Sequence, residues 1–255
     1  MLRFFRRIRV KLLAEGNFKK FLLYAIGEIL LVVIGILIAL QINNLNEERK
    51  EKKLTSTYLA NIELDLLSDL KAIEKASNDI DFYEEEGFYS LNVIDGKIDS
   101  IDKVKFLKSL IWNNHYPIFQ PTRSTYEDLI SSGNIKLIKD NDLKVALSKY
   151  YLRSDWWEQF EQRAKDTYWY ILREEIFISI DPFIMRAFYE SEFYPDEEPS
   201  IKMEEIEVDF NLINNNESLR KAISRALSLR VWHKNRLREA HTEIDEIMAI
   251  LTNEK

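Results

Sequence analysis

The chain has 255 residues, enough for one sizeable domain and a small additional element. It contains no cysteine, which excludes a disulfide framework, a thiolate nucleophile and a cysteine metal site. Only 6 Gly and 5 Pro accompany a charged fraction of 31%, a composition that predicts long uninterrupted helices and an all-α fold.

The charge is distributed unevenly along the chain. Residues 1–20 carry seven basic side chains against one acidic one, and Glu28 follows as the next charge. Since the whole chain carries −7, residues 43–255 carry −12. Because phosphate binding needs a basic face, this acidic body predicts that nucleic acid is not a partner.

The N-terminal stretch MLRFFRRIRVKLL alternates apolar and basic positions, the basic ones being Arg3, Arg6, Arg7, Arg9 and Lys11. One interpretation is a short amphipathic helix on the inner leaflet, where each cation near anionic lipid contributes about 1 kcal/mol. The other is that these charges only set membrane topology. Both interpretations stay open at the level of sequence.

Residues 21–40 form an apolar run that contains one charged residue, Glu28. Twenty residues at a rise of ~1.5 Å each make a helix of about 30 Å, the thickness of the hydrocarbon core of a bilayer. The run is too long for a cleaved signal peptide, and the residues after it lack a small-residue cleavage site. We therefore predict an uncleaved signal anchor that forms a transmembrane helix over residues 21–42.

The distribution of Lys and Arg around this span predicts its orientation. Seven basic residues precede it, whereas the four that follow closely are interleaved with glutamates. The positive-inside rule then places residues 1–20 in the cytoplasm. Residues 43–255 would form an extracytoplasmic domain, periplasmic in a Gram-negative cell, held at the inner membrane.

Glu28 lies within the predicted span on the same helical face as Gly35 and Ala39. Two small residues four positions apart allow helices to approach closely, and a buried acid can then find a partner on the neighbouring helix. Three interpretations remain: a contact between subunits, a residue tolerated near the cytosolic interface, or a proton or ion site. The last requires a partner, because a single span cannot form a transport pathway alone.

The helix is predicted to continue beyond the membrane, since no Gly or Pro intervenes before Gly87. Apolar residues then recur every three or four positions from Leu54 to Ile73, as in an amphipathic helix. Farther on, Ser124 and Glu127 have the spacing of a capping box, Gly133 is a stop signal, and Asp140 begins a helix that reaches about Phe177.

The segment NIKLI, residues 134–138, is predicted to be extended, and three prolines interrupt the chain around an acidic loop at residues 189–200. A last helix is predicted from about Glu217 to Leu251. Together these elements predict an antiparallel bundle of three or four long helices in the outer domain.

Two stretches of this sequence are similar to a known family. They are LLYAIGEILLVVIGILIALQINN, residues 22–44, which covers most of the predicted span, and TYEDLISSGNIKLIKDNDLKVALSKYY, residues 125–151. Both resemble an uncharacterised, domain-of-unknown-function family of single-pass membrane proteins common in Bacteroidota. The resemblance implies a location in the cell envelope, and it implies no activity and no catalytic residues.

The sequence offers little catalytic chemistry. There are three histidines and no zinc-protease, nucleotide-binding or nucleophile-elbow motif. His241 and Asp245 have the i, i+4 spacing of metal ligands, a pattern that also arises by chance on exposed helices. We predict no catalytic residue, no cofactor and no metal site.

One predicted helix is unusually rich in aromatic residues, including Trp156, Trp157 and Trp169. Trp and Tyr dominate protein-binding surfaces, so these three tryptophans are a candidate partner surface. The alternative is a helix buried on two sides in a bundle, with the aromatics in its core.

These patterns lead to hypotheses from three classes. The first is a non-enzymatic envelope protein, a homo-oligomer or complex subunit, whose outer domain binds a protein partner or senses a ligand. The second is an accessory subunit of a transporter or ion-driven machine that uses Glu28 as a protonatable site. The third, a membrane-tethered hydrolase, lacks a visible nucleophile and base, although a pocket that gathers His115 with carboxylates would support it.

Overall fold

The computed structural model describes residues 18–253, apart from the side chains of residues 18, 20–21, 160–161, 163–171, 179 and 253. The described chain is all-α, as predicted, and its only β pairing is an isolated bridge between Ile180 and Val208. Its α-helices are α1 (Phe18–Ile94), α2 (Lys103–Asn113), α3 (Ser124–Ser131), α4 (Asn141–Ser179), α5 (Ile184–Phe193), α6 (Phe210–Asn214) and α7 (Glu217–Asn253). Short 3-10 helices occupy Asn134–Leu137 and Met203–Glu205.

The contacts within the chain divide it into two units, residues 1–57 and residues 58–255. The helix α1 has 77 residues and contributes to both, in agreement with the predicted absence of a break before Gly87. The boundaries at 20/21 and 42/43 depend on the expected membrane rather than on contacts within the chain. They stay predictions.

Two local predictions around residues 124–138 are wrong. The segment NIKLI forms the 3-10 helix Asn134–Leu137 rather than an extended segment. The capping box is absent because α3 begins at Ser124 itself, with Arg123 as its N-cap and no side-chain cap. The Arg123 side chain is engaged elsewhere, pairing with Asp155 and donating to Ser154 Oγ at 2.6 Å.

Other helix boundaries follow the predicted signals. Gly133 has φ of +70°, the left-handed conformation that a stop after a helix requires and that favours glycine. Asp140 caps α4 through its carboxylate, which accepts hydrogen bonds from the Asp142 and Leu143 amides at 2.6 and 2.9 Å. The helices α4 and α7 end within two residues of their predicted ends.

The unit 58–255 contains two hydrophobic clusters. The first, which we call core A, joins α1 to α3, the first half of α4 and the last part of α7, and it includes Ile62, Leu66, Leu143 and Ile244. The second, core B, joins the end of α1 to α2, the last part of α4, α5 and the start of α7. Its fully buried members include Phe106, Phe188 and Ile223.

The helix α7 runs antiparallel to both α1 and α4 where it packs against them, so α1 and α4 run in the same direction, unlike neighbours in the predicted antiparallel bundle. Along α1 and α7, Asp81 pairs with Lys234, whereas Tyr83, two residues later, accepts a hydrogen bond from Arg230. Along α4 and α7, the Arg153 guanidinium lies 2.5 Å from Glu243 and Trp156 contacts Arg236. In both pairs the residue number rises on one helix as it falls on the other.

Candidate functional site

The unit 1–57 presents a long apolar surface. From Leu22 to Leu45, the large apolar side chains are between 43 and 72% exposed. An 18-residue window of this part of α1 has a mean hydropathy of 2.7, and none of it is buried. By length and composition, the helix is suited to cross a membrane.

The predicted helix-contact residues lie within this surface. Because α1 is helical throughout, Glu28, Gly35 and Ala39 fall on one face, as their spacing predicts. A Cβ placed on Gly35 would have no atom within 4 Å. Among the described residues, the space beside Gly35 is therefore open. The predicted membrane-surface residues Arg3, Arg6, Arg7, Arg9 and Lys11 lie outside the described residues.

In the unit 58–255, α4 and α7 form a second exposed surface, which we call the cationic tryptophan surface. The Arg236 guanidinium stacks over the Trp156 ring, 4.5 Å from its centroid, and Trp156 is 57% exposed. Trp232 lies one helical turn before Arg236 on α7 and is 59% exposed. Leu152, one turn before Trp156 on α4, is exposed beside Arg153.

The three predicted partner-surface tryptophans have different positions. Trp156 lies on the cationic tryptophan surface, whereas Trp157 is 5% exposed and packs into core A. Its burial corrects the sequence expectation for Trp157, because a side chain in the core cannot contact a partner. The side chain of Trp169 is outside the described residues. Trp232 also belongs to the cationic tryptophan surface. The sequence did not predict it, because it lies on α7, far in sequence from the aromatic-rich segment of α4.

The 125–151 stretch that resembles a known family has a structural role. The Tyr58 hydroxyl on α1 donates to Asp128 Oδ2 at 2.7 Å and accepts from Asn134 Nδ2 at 3.0 Å. The rings of Tyr126 and Tyr151 stack with centroids 4.2 Å apart. These contacts fix α3, the 3-10 helix after it and α4 against α1.

Asp69 is the buried polar centre of the same region, with an exposed fraction of 1%. Its Oδ1 accepts hydrogen bonds from the amide and hydroxyl of Thr122, both at 2.8 Å, and its Oδ2 accepts from the Tyr150 hydroxyl at 2.8 Å. Burial raises the pKa of Asp69. Burial and the neighbouring Asp69 charge also raise the pKa of Tyr150, which keeps this hydroxyl a donor.

A second buried polar group joins α1, α2 and α7. Arg230 is 3% exposed, and its Nη1 donates to the Tyr83 carbonyl and to Asn113 Oδ1, both at 2.6 Å. Its Nη2 donates to the Asn113 carbonyl at 2.6 Å. Gly87 makes room for this group, because a Cβ there would lie 2.7 Å from Asn113 Oδ1 and 3.1 Å from Arg230 Nη1.

His115 lies among aromatic rings near this group. Its ring centroid is 4.9 Å from Trp112, 5.7 Å from Tyr83 and 6.1 Å from Phe188. Its Nδ1 donates to the Ile111 carbonyl at 2.9 Å, and burial lowers its pKa, which favours the neutral ring. This surrounding of rings differs from the carboxylate-lined pocket that a hydrolase would need around His115.

His241 and Asp245 form an exposed pair on α7, with Nδ1 and Oδ2 3.1 Å apart. Within residues 18–253, as far as their side chains are described, no group of three or more His, Asp or Glu side chains could hold a metal ion.

The described chain thus has two features suited to recognition: an apolar helical stretch and a cationic tryptophan surface on an all-α unit. A family of unknown function, DUF6090, matches residues 28–166, which include the whole stretch 125–151 and residues 28–44 of the first stretch that carries the resemblance. The chain belongs to this family. Comparison with curated proteins and with solved structures found no match.

Proposed function

We propose that this chain is a single-pass protein of the inner membrane, with a helical extracytoplasmic domain that binds a protein partner. The observation that carries the proposal is the apolar stretch of α1, with its mean hydropathy of 2.7 and no buried residue in the window. Water-soluble monomers rarely expose contiguous apolar patches beyond a few hundred Å². A bilayer removes this surface from water, and the basic residues before it favour a cytoplasmic N-terminus.

The assembly of the protein within the membrane is proposed to use the face of Glu28, Gly35 and Ala39. A small-residue face allows two helices to approach closely, and an acid between them can exchange hydrogen bonds across the interface. The open space around Gly35 supports this role, because none of the described residues occupies it.

Membrane extraction tests the anchoring. The full chain is expected to stay in the membrane pellet after washing at high pH with carbonate, and to be released only by detergent. Release by carbonate alone would reject a membrane span.

Site-specific crosslinking in lipid tests the assembly. Gly35→Leu is expected to reduce crosslinked oligomer, because a Leu side chain would separate the helices without a clash inside one chain. Gly27→Leu is the matched control, since Gly27 is equally open and lies about 100° around the helix from Glu28. Equal crosslinking in both variants would reject this face as the contact.

Glu28→Leu distinguishes a polar contact from a tolerated charge. This variant is expected to insert normally and to assemble more weakly, because the hydrogen bond between helices is lost. Assembly equal to that of the unaltered protein would remove Glu28 from the contact.

A further inference from the structure

The unit 58–255 carries two exposed surfaces of opposite character. The first is the cationic tryptophan surface, with Trp156, Trp232 and Arg236 at its centre. Lys149 and Arg153 are half exposed on α4 and flank it, and both pair with the buried Glu243. Trp and Arg are the residues most enriched at the energetic centres of protein interfaces.

The second surface is the segment of residues 189–198, YESEFYPDEE, which we call the acidic aromatic segment. It begins within α5 and continues into the following turn. Tyr189, Phe193 and Tyr194 are 38, 52 and 57% exposed. The segment contains five acidic residues and no basic one, and the acids at 196–198 are exposed.

The acidic aromatic segment is held in a defined conformation. Glu190 accepts hydrogen bonds from the Ser200 amide and hydroxyl at 2.6 and 2.7 Å and pairs with Arg186 at 2.8 Å. Lys108 of α2 pairs with Glu192 at 2.5 Å. These contacts order both ends of the segment, so less conformational entropy is lost when its exposed aromatics bind a partner.

The two surfaces adjoin different parts of the unit. The cationic tryptophan surface lies over core A, to which Trp157 and Leu237 belong, whereas the acidic aromatic segment follows Phe188 of core B. Because the two surfaces have opposite charge and lie on different parts of the unit, a second copy of the chain can supply the complement of each.

We propose that the cationic tryptophan surface of one copy binds the acidic aromatic segment of a second copy. In this contact Arg236 of one copy faces the exposed acids at 196–198 of the other, and the exposed aromatic side chains of the two surfaces meet, which gives electrostatic and apolar complementarity together. Because the contact joins two different surfaces, it is head-to-tail and leads to a ring or a chain of copies.

The size of the contact is small. Five aromatic side chains of about 150–250 Å² each, roughly half exposed, supply on the order of 500 Å² of apolar contact. That area matches a weak, reversible association rather than an obligate dimer. The proposal rests on the proposed function of partner binding by the helical domain, and it names that partner as a second copy.

Lipid nanodiscs that each hold one copy of the full chain separate this contact from assembly within the membrane. Contacts between membrane-spanning helices cannot form from disc to disc, whereas the outer units of different discs can meet. Sedimentation velocity at disc concentrations up to about 100 μM is expected to show reversible disc association. Raising the salt concentration is expected to weaken it, because the charges involved are exposed.

Matched variants test the two surfaces. Trp232→Ala is expected to weaken disc association about tenfold or more, as is Glu197→Lys combined with Glu198→Lys. Val231→Ala is the control for the tryptophan, since Val231 is similarly exposed and points to another side of α7. Arg236→Glu should also weaken association, and adding the two lysine substitutions should restore part of it. Arg238→Glu is the charge control.

Three results would overturn the proposal. Discs that stay monodisperse at the highest concentration would reject association between copies. Association of Trp232→Ala discs equal to that of the unaltered protein would reject this surface. Monodisperse discs in which brominated lipids quench a fluorescence component that Trp232→Phe removes would assign the surface to the bilayer instead.

Discussion

Gly87 offers the sharpest test of how the unit 58–255 is held together. Gly87→Ala places a methyl group 2.7 Å from Asn113 Oδ1, 2.9 Å from Leu227 Cδ2 and 3.1 Å from Arg230 Nη1. All three atoms belong to side chains packed between α1, α2 and α7, and two of them share a hydrogen bond of 2.6 Å. The methyl group therefore has to displace the Arg230–Asn113 contact.

The magnitude follows from three contributions. Overpacking a dense interior costs about 1–3 kcal/mol. Disturbing buried hydrogen bonds to a charged guanidinium costs about 1.5–3 kcal/mol more. Alanine is favoured over glycine within a helix by about 1 kcal/mol, which offsets part of the loss. We expect Gly87→Ala to lower the free energy of unfolding by about 3 kcal/mol.

Urea unfolding of the full chain in mild detergent measures this change. Near-UV circular dichroism is a suitable signal, because Tyr83 and Trp112 stack near the substituted position with centroids 5.9 Å apart. With a slope of about 2–3 kcal/mol per M, the midpoint is expected to fall by about 1 M. Glu85→Ala, an exposed substitution two residues away, is the control and should change stability by less than about 0.5 kcal/mol.

A double-mutant cycle with Asn113→Ala tests whether the new methyl group acts through the Arg230–Asn113 contact. Asn113→Ala removes the atom nearest to the new methyl group, so the two substitutions together should cost less than their sum. A midpoint for Gly87→Ala equal to or above that of the unaltered protein would refute the account of this contact.

Further predictions concern three other residues of the unit. The Arg220 guanidinium, with Lys97, lowers the pKa of Asp95 from 3.8 to about 2, so the pair stabilises the fold above pH 4. That contribution should be lost in acid titrations as the pH falls towards 2, and Asp95→Asn should remove this dependence. Asp69→Ala leaves the buried Tyr150 hydroxyl without its acceptor and should cost about 2–4 kcal/mol in urea unfolding. Because burial raises the pKa of Asp69, its contribution is greatest below its unfolded pKa and decreases as the pH rises through the folded value, so Asp69→Asn should flatten the dependence of stability on pH above about pH 4. Gly133→Ala meets no atom within 4 Å but must adopt a φ of +70°, so thermal unfolding should show a loss of about 1–2 kcal/mol.

The sequence predicted the features that depend on neighbouring residues. Asp140 begins a helix through its own side chain, and Gly133 ends one through its own backbone conformation, so both can be predicted from the local sequence. The apolar residues of α7 that recur at helical spacing are buried, namely Leu219, Ile223, Leu227, Leu237, Ile244, Ile247 and Leu251. The capping box at Ser124 failed because spacing alone does not show where a helix begins.

Features that join distant residues could not be predicted from local patterns. Gly87, Asn113 and Arg230 lie far apart in sequence and meet only when α1, α2 and α7 pack. Trp156 and Trp157 are adjacent and differ by about 100° in direction around α4, so the packing of the helix decides which is buried. The apolar pattern of α4 alone does not show which of the two tryptophans is buried.

Cysteine labelling tests the central claim, a single span with the helical unit outside the cytoplasm. The chain has no native cysteine, so single substitutions report one position each. In intact cells with a permeabilised outer membrane, a maleimide that cannot cross the inner membrane is expected to label Ser100→Cys. Ala14→Cys should be labelled only after the inner membrane is broken. Labelling of both positions in intact cells, or of Ala14→Cys alone, would contradict the proposed topology.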